Sequence, residues 1–296
     1  MAIPEKQLET WSSQGSIPQF TSTYESIRNV LWDANSPYAG RGFSVFLQGS
    51  YKNDTNVYGD SDVDIVICTD GVYYADTSDL SADDKQRYDG NFVRAQYQLA
   101  DFKKEVVEWL NKKYPNAVSV GSKAVCIKGN TGRRDADVVI AAEFRRYYRY
   151  PTQGNPHYAT GICFFTPDGT RIENFPKQHS DNCTSKNQST NWFKRTVRTY
   201  KNLRNKMIAD GDIRDGLAPS YFLEGLLYNL PIAQFGATHM QNFNDTLNWL
   251  VGEDRSKFEC ANGLYYLFHA TSPVTWRAEN CTAFLNAAVK KRDNWQ

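Results

Sequence analysis

Around Pro176 the chain changes its hydrophobic rhythm. Up to that point many apolar residues fall in short β-branched runs of strand length, and beyond it they recur at helical spacing. A fold that honours both periods is a mixed α+β lobe followed by a helical lobe, divided into residues 1–175 and 176–296. With 296 residues, 41% of them hydrophobic, the chain can bury a substantial core.

In the first lobe, Phe20, Tyr24, Ile27, Val30 and Leu31 predict a helix over 19–34, which also serves as the N-terminal helix of that lobe. Strands are predicted over 42–47 (GFSVFL), 62–68 (DVDIVIC), 123–130 and 135–144. Residues 81–114 read as one long helical stretch with Phe102, Val106, Trp109 and Leu110 on a stripe. In GICFFTPDGTRIENF, Pro167-Asp168-Gly169 supplies turn chemistry between two alternating runs, a hairpin. The second lobe offers helices in STNWFKRTVRTYKNLRNKM, SYFLEGLLYNL and FNDTLNWLVG.

Lys plus Arg number 34 against 33 Asp plus Glu, a net charge of +1, which argues against a broad basic surface for duplex DNA. RRYYRY (145–150) reads as a solvated strand end. The six cysteines are scattered, form no C-x-x-C pair and lie partly in apolar runs, so reduced thiols in a cytoplasmic protein are expected. MAIPEKQLETW lacks a basic-then-apolar leader, and no stretch approaches the roughly 20 apolar residues of a spanning helix.

The chemistry concentrates in FLQGSYKNDTNVYGDSDVDIVI. Side chains at i and i+2 of a strand share a face, so Asp62 and Asp64 project together, about 7 Å apart along the strand. Two like charges that close repel, and a divalent cation with hard oxygen ligands relieves the repulsion. In RRDADVVIAAEF, Asp137 opens an apolar run just as Asp64 does. Were the two strands neighbours, three carboxylates would converge, enough for two metals about 4 Å apart in a phosphoryl-transfer site. A D-x-D alone reads first as strand-start punctuation, and Asp60 and Asp135 lie one pleat step further out.

Gly49-Ser50 follows a strand, where backbone N–H groups and a hydroxyl can hold a phosphate. Its position 13 residues before the second strand's first acid makes it informative. With that spacing the sequence resembles the polymerase-β-like nucleotidyltransferase superfamily. It is most similar to the branch of cyclic GMP-AMP synthase, oligoadenylate synthetase and the bacterial cGAS/DncV-like nucleotidyltransferases. TVRTYKNLRN followed by APSYFLEGLL resembles that branch's helical lobe, and NFPKQHSDNCTSKNQST its interlobe segment.

The resemblance implies an α+β polymerase-β-like core, a mixed sheet with helices, plus a helical C-terminal lobe, with the active site in the cleft between. It implies Mg²⁺ or Mn²⁺, two ions, on Asp62, Asp64 and Asp137, all three catalytic. It further implies Gly49, Ser50, Lys201 and Ser220 on nucleotide phosphates and Tyr221 stacked on a base. Asn174, Asn182 and Gln178 are candidates for reading a base edge, against the plainer reading of turn-forming residues. The implied activity condenses nucleoside triphosphates (ATP, GTP, UTP or CTP) into a cyclic di- or trinucleotide, released to a separate effector in anti-phage signalling.

From the residues alone, Tyr221 also reads as core, Lys201 as a solvated face beside Arg198 and Arg204, and Ser220 as an N-cap after Pro219. His179 and Cys183, spaced i, i+4 without a second pair, read as an ordinary loop rather than a zinc insertion, so activation by double-stranded DNA is not expected. Competing functions are a template-independent transferase acting on an RNA 3′ end or a small acceptor, a linear oligonucleotide synthase, and an inactive nucleotide-binding module. Three retained carboxylates speak against the last.

Overall fold

Seven strands form one mixed sheet in the computed structural model, which describes residues 2–15, 18–58 and 62–295. They are β1 (Phe43–Leu47), β2 (Val63–Asp76), β3 (Val118–Val120), β4 (Val125–Ile127), β5 (Ala136–Arg149), β6 (His157–Phe165) and β7 (Arg171–Asn174). The order is β1-β2-β5-β4-β3, with β6 pairing the far half of β5 and β7 pairing β6. Only β2 and β5 run parallel. Both are covered on both faces: Ile65, Val66 and Ile67 are buried, as are Val138, Val139 and Ile140, which explains their unbroken apolar runs. Gly169 at φ 83° makes the β6–β7 turn that Pro-Asp-Gly predicts.

The helices are α1 (Glu5–Ser12), α2 (Pro18–Leu31), α3 (Gly49–Lys52), α4 (Ala82–Asn91), α5 (Leu99–Lys113), α6 (Pro176–Thr190), α7 (Phe193–Ala209), α8 (Ser220–Tyr228), α9 (His239–Gly252) and α10 (Ala278–Asp293). The single helix expected over 81–114 is two. Ser81 caps α4 by accepting from the Asp84 N–H, and α5 restarts where the Asp101 carboxylate accepts the Gln98 N–H at 2.9 Å. The expected stripe of Phe102, Val106, Trp109 and Leu110 is buried, and Trp109 Nε1 donates to the Val30 carbonyl of α2. RRYYRY is a strand end as expected, closing β5 at exposed Arg149, but it is only partly solvated: Tyr147 is buried and the Arg145 guanidinium covers the Tyr73 ring and pairs with Glu143.

The chain separates into two compact units that interleave in sequence. One comprises Ile17–Gln48 and Asp62–Phe175; the other comprises Met1–Ser16, Gly49–Ser61 and Pro176–Gln296. The second therefore includes α1 and the Gly-Ser helix α3, where a single division after residue 175 would have put both with the sheet. Its core holds Tyr200, Leu203, Leu223, Leu226, Phe243 and Phe284. The reason lies in α7: buried Arg198 donates to the carbonyls of Ser12 (2.5 Å) and Asp54 (2.6 Å), tying both segments to the helical core. All six cysteines are free, and among the described residues no helix is long and apolar enough to cross a membrane.

Candidate active site

In the sheet unit, the parallel pairing of β2 with β5 sets Asp64 directly opposite Asp137, so both side chains leave the same face. Asp62, exposed, immediately precedes β2 and shares that face with Asp64. Cys126 is opposite Asp137 on β4, and Ser119 opposite Cys126 on β3. Burial pushes the Asp137 carboxyl above its ordinary value; the charges of Asp62 and Asp135 add to the rise and a hydrogen bond from Cys126 partly offsets it. That crowding of acids is what a divalent cation relieves, and carboxylate oxygens are the donors a hard cation prefers, so this set fits one. Asp135 is turned to other work, its Oδ1 accepting the Gly129 N–H at 2.5 Å, and Asp60 lies outside the described residues.

In the helical unit, Gly49 takes φ 68°, a left-handed turn that suits glycine, and starts α3 with Ser50 half-buried behind it. Lys201 is fully buried on α7, not on a solvated face, and its Nζ donates to the Thr55 carbonyl at 2.9 Å. Ser220 is not an N-cap: Pro219 takes that position, and the Ser220 hydroxyl accepts from Arg204 Nη1 at 3.0 Å. Tyr221 stacks on the His179 ring (centroids 4.9 Å apart, planes at 25°), and its hydroxyl accepts from Asn262 at 3.1 Å. Asn182 donates to the neighbouring Ala261 carbonyl at 2.9 Å, so it and Tyr221 meet the same loop. Gln178 precedes His179 on α6, and Asn174 ends β7 in the other unit.

The segment around His179 and Cys183 is a helix, α6, rather than a loop; it begins at a proline, which suits a first helical position. His179, Cys183 and Glu224 are all buried, with one ligand-capable atom of each within 4.8 Å of the others. Hydrogen bonding accounts for Glu224 and for His179 Nε2, and the thiol of Cys183 is held protonated, a poor state for a metal ligand. Glu224 Oε2 meets His179 Nε2 at 2.6 Å and accepts from Asn53 at 2.9 Å, while Oε1 accepts from Thr55 at 2.5 Å. Burial raises the Cys183 thiol well above its ordinary value, which keeps it protonated. Against a large burial effect, the hydrogen bond and charge of His179, the charge of Lys201 and the Thr55 hydroxyl still bring the Glu224 carboxyl below its ordinary value.

Sequence reasoning missed Asn53, Thr55 and Glu224. A signal exists for the last, the lone charged residue of SYFLEGLLY; nothing local marks the other two.

The fold and the paired acids define a polymerase-β-like nucleotidyltransferase. The structure of Rhodothermus marinus CdnE c-UMP-AMP synthase with Apcpp and Upnpp superposes with a TM-score of 0.87 at 39% identity, covering 99% of this chain and 97% of that one. The Elizabethkingia meningoseptica CdnE cyclic dinucleotide synthase with GTP and Apcpp gives 0.79 at 29%, covering 97% and 98%. In sequence, the chain is 40% identical to a cyclic UMP-AMP synthase of Rhodothermus marinus over 96% of each chain. Residues 181–292 match the model of the cGAS/DncV-like nucleotidyltransferase C-terminal helical domain. The chain belongs to the cGAS/DncV-like nucleotidyltransferases.

Proposed function

We propose that this enzyme joins two nucleoside triphosphates, one adenine and one uracil nucleotide, into a cyclic dinucleotide that acts as a second messenger. The observation that carries the reading is the Asp64–Asp137 register with Asp62 alongside, on a chain similar throughout its length to a cyclic UMP-AMP synthase. The base pair follows that relative's name and the Apcpp and Upnpp in the similar structure. A trinucleotide remains the larger-ring version of the same chemistry.

In each of two rounds, a ribose hydroxyl oxygen bonds to the α-phosphorus of a triphosphate and the bond to the pyrophosphate oxygen breaks. The hydroxyl proton leaves to solvent. The second, intramolecular round closes the ring. Asp62, Asp64 and Asp137 would hold two Mg²⁺ or Mn²⁺ ions, which supply charge that acidifies the hydroxyl and stabilises the leaving pyrophosphate. Gly49, Ser50 and Ser220 bind phosphate oxygens, and Lys201 supplies positive charge beside them. Tyr221 stacks on a base through the ring face away from His179. Asn174, Asn182 and Gln178 orient base edges. The protein works in the cytoplasm, needs no double-stranded DNA, and passes its product to a separate effector in anti-phage defence.

Pyrophosphate release with the four triphosphates, singly and in pairs, tests this. ATP with UTP should give the fastest release, and Asp64→Asn none. Fastest release from a mixture lacking UTP would overturn the base assignment, and release undiminished in Asp64→Asn would overturn the site.

A further inference from the structure

One buried carboxylate joins the two ends of the proposed nucleotide site. Glu224, Asn53, Thr55 and His179 are each less than 5% exposed. The Gly49 carbonyl accepts from the Asn53 N–H at 3.2 Å and the Ser50 carbonyl from the Thr55 N–H at 2.8 Å. The side chains of those same two residues, Asn53 and Thr55, both donate to Glu224. The Gly-Ser turn is thereby locked, through two residues, onto α8. On its other side the Glu224 carboxylate holds His179 Nε2, and the His179 ring is the surface on which Tyr221 lies. A leucine would suit this otherwise apolar helix, but apolar packing leaves distances adjustable. A carboxylate accepting from three side chains on two other segments fixes them, provided every partner is present.

We infer that Glu224 is a positioning residue that sets the Gly49–Ser50 phosphate turn and the Tyr221 base platform at the separation one nucleoside triphosphate requires. This rests on the nucleotide-binding reading above and adds to it a residue that touches no nucleotide. It divides into two arms, Thr55 and Asn53 toward the phosphates and His179 toward the base, and the arms can be cut separately. Thr55→Val removes one donor to Glu224 while keeping shape and the N–H to Ser50. His179→Gln keeps a donor and loses the stacked ring.

The test is equilibrium binding of a non-hydrolysable nucleoside triphosphate and of inorganic tripolyphosphate, each with Mg²⁺, with thermal melting alongside. Thr55→Val should weaken both probes about tenfold, the scale of one buried charge-assisted hydrogen bond. His179→Gln should weaken the nucleotide and leave tripolyphosphate unchanged, and Glu224→Gln should weaken both. Should Glu224→Gln fail to fold, the two single-arm variants decide. Unchanged binding in both of those, or a His179→Gln variant that loses tripolyphosphate as much as nucleotide, would overturn the inference. Wild-type protein that binds neither probe would instead overturn the nucleotide-binding reading on which it stands.

Discussion

Replacing Asp137 with Asn should stabilise the metal-free protein while abolishing its chemistry. Asp137 is directly opposite Asp64 and feels the charges of Asp62 and Asp135. Like charges across a strand pair destabilise by about 0.2–1 kcal/mol, and the half-exposed side chain is partly screened, so relief of about 0.5 kcal/mol is expected. For domains of this size 1 kcal/mol shifts the melting temperature by about 2–4 °C, giving a rise of about 1–2 °C for Asp137→Asn in chelator. The sign of the pH dependence follows from the raised carboxyl. Between the ordinary aspartate value and the higher folded-state value, the native protein holds more protons than the unfolded chain, so stability falls as pH rises through that window. Asp137→Asn lacks this slope. The assay is thermal melting across pH in chelator, then with Mg²⁺ or Mn²⁺: wild type should gain on adding metal and the variant little. A variant that melts below wild type in chelator, or gains as much from metal, refutes the reasoning.

Other expectations are as direct. Tyr221→Ala should raise the KM for nucleotide by roughly fivefold to a hundredfold, the 1–3 kcal/mol of a base–aromatic stack, in steady-state kinetics. Gly161→Ala should destabilise by about 1–3 kcal/mol in denaturant melts, because strand overpacking leaves no room: an added Cβ would stand 2.5 Å from the Asn174 carbonyl and 2.8 Å from the Phe175 ring. The thiols of Cys68, Cys163, Cys260 and Cys281, each pushed up to about 12 chiefly by burial, should resist alkylation in the native protein and react on unfolding, as intact mass would show.

Much of this was legible in the sequence because the period of the apolar residues states which face is buried. The β-branched runs after Asp64 and Asp137 announced two buried strands but not that they are neighbours; the structure pairs them, in the register that sets the two acids together. The break inside 81–114 was hidden because the stripe belongs to α5 alone, and a cap at Gln98 by Asp101 is not among the usual starting residues. Helix α6 was hidden for the opposite reason: PKQHSDNCTSKNQST has almost no apolar stripe to read, since what it buries is His179, Ser180 and Cys183. The same holds for Lys201. Its sequence neighbours are basic and suggest a solvated face, yet Thr55 and Glu224, distant in sequence, give its amine buried partners. Polar networks assembled from separate segments leave no period behind, and there the sequence falls silent.

The central claim is cyclisation. Purified protein incubated with all four nucleoside triphosphates and Mg²⁺ or Mn²⁺, then treated with phosphatase and read by mass spectrometry, addresses it most directly, with Asp62→Asn/Asp64→Asn as control. The account predicts a phosphatase-resistant cyclic dinucleotide of one adenine and one uracil, made by wild type alone. Linear products that phosphatase trims, or transfer to a non-nucleotide acceptor, would contradict it.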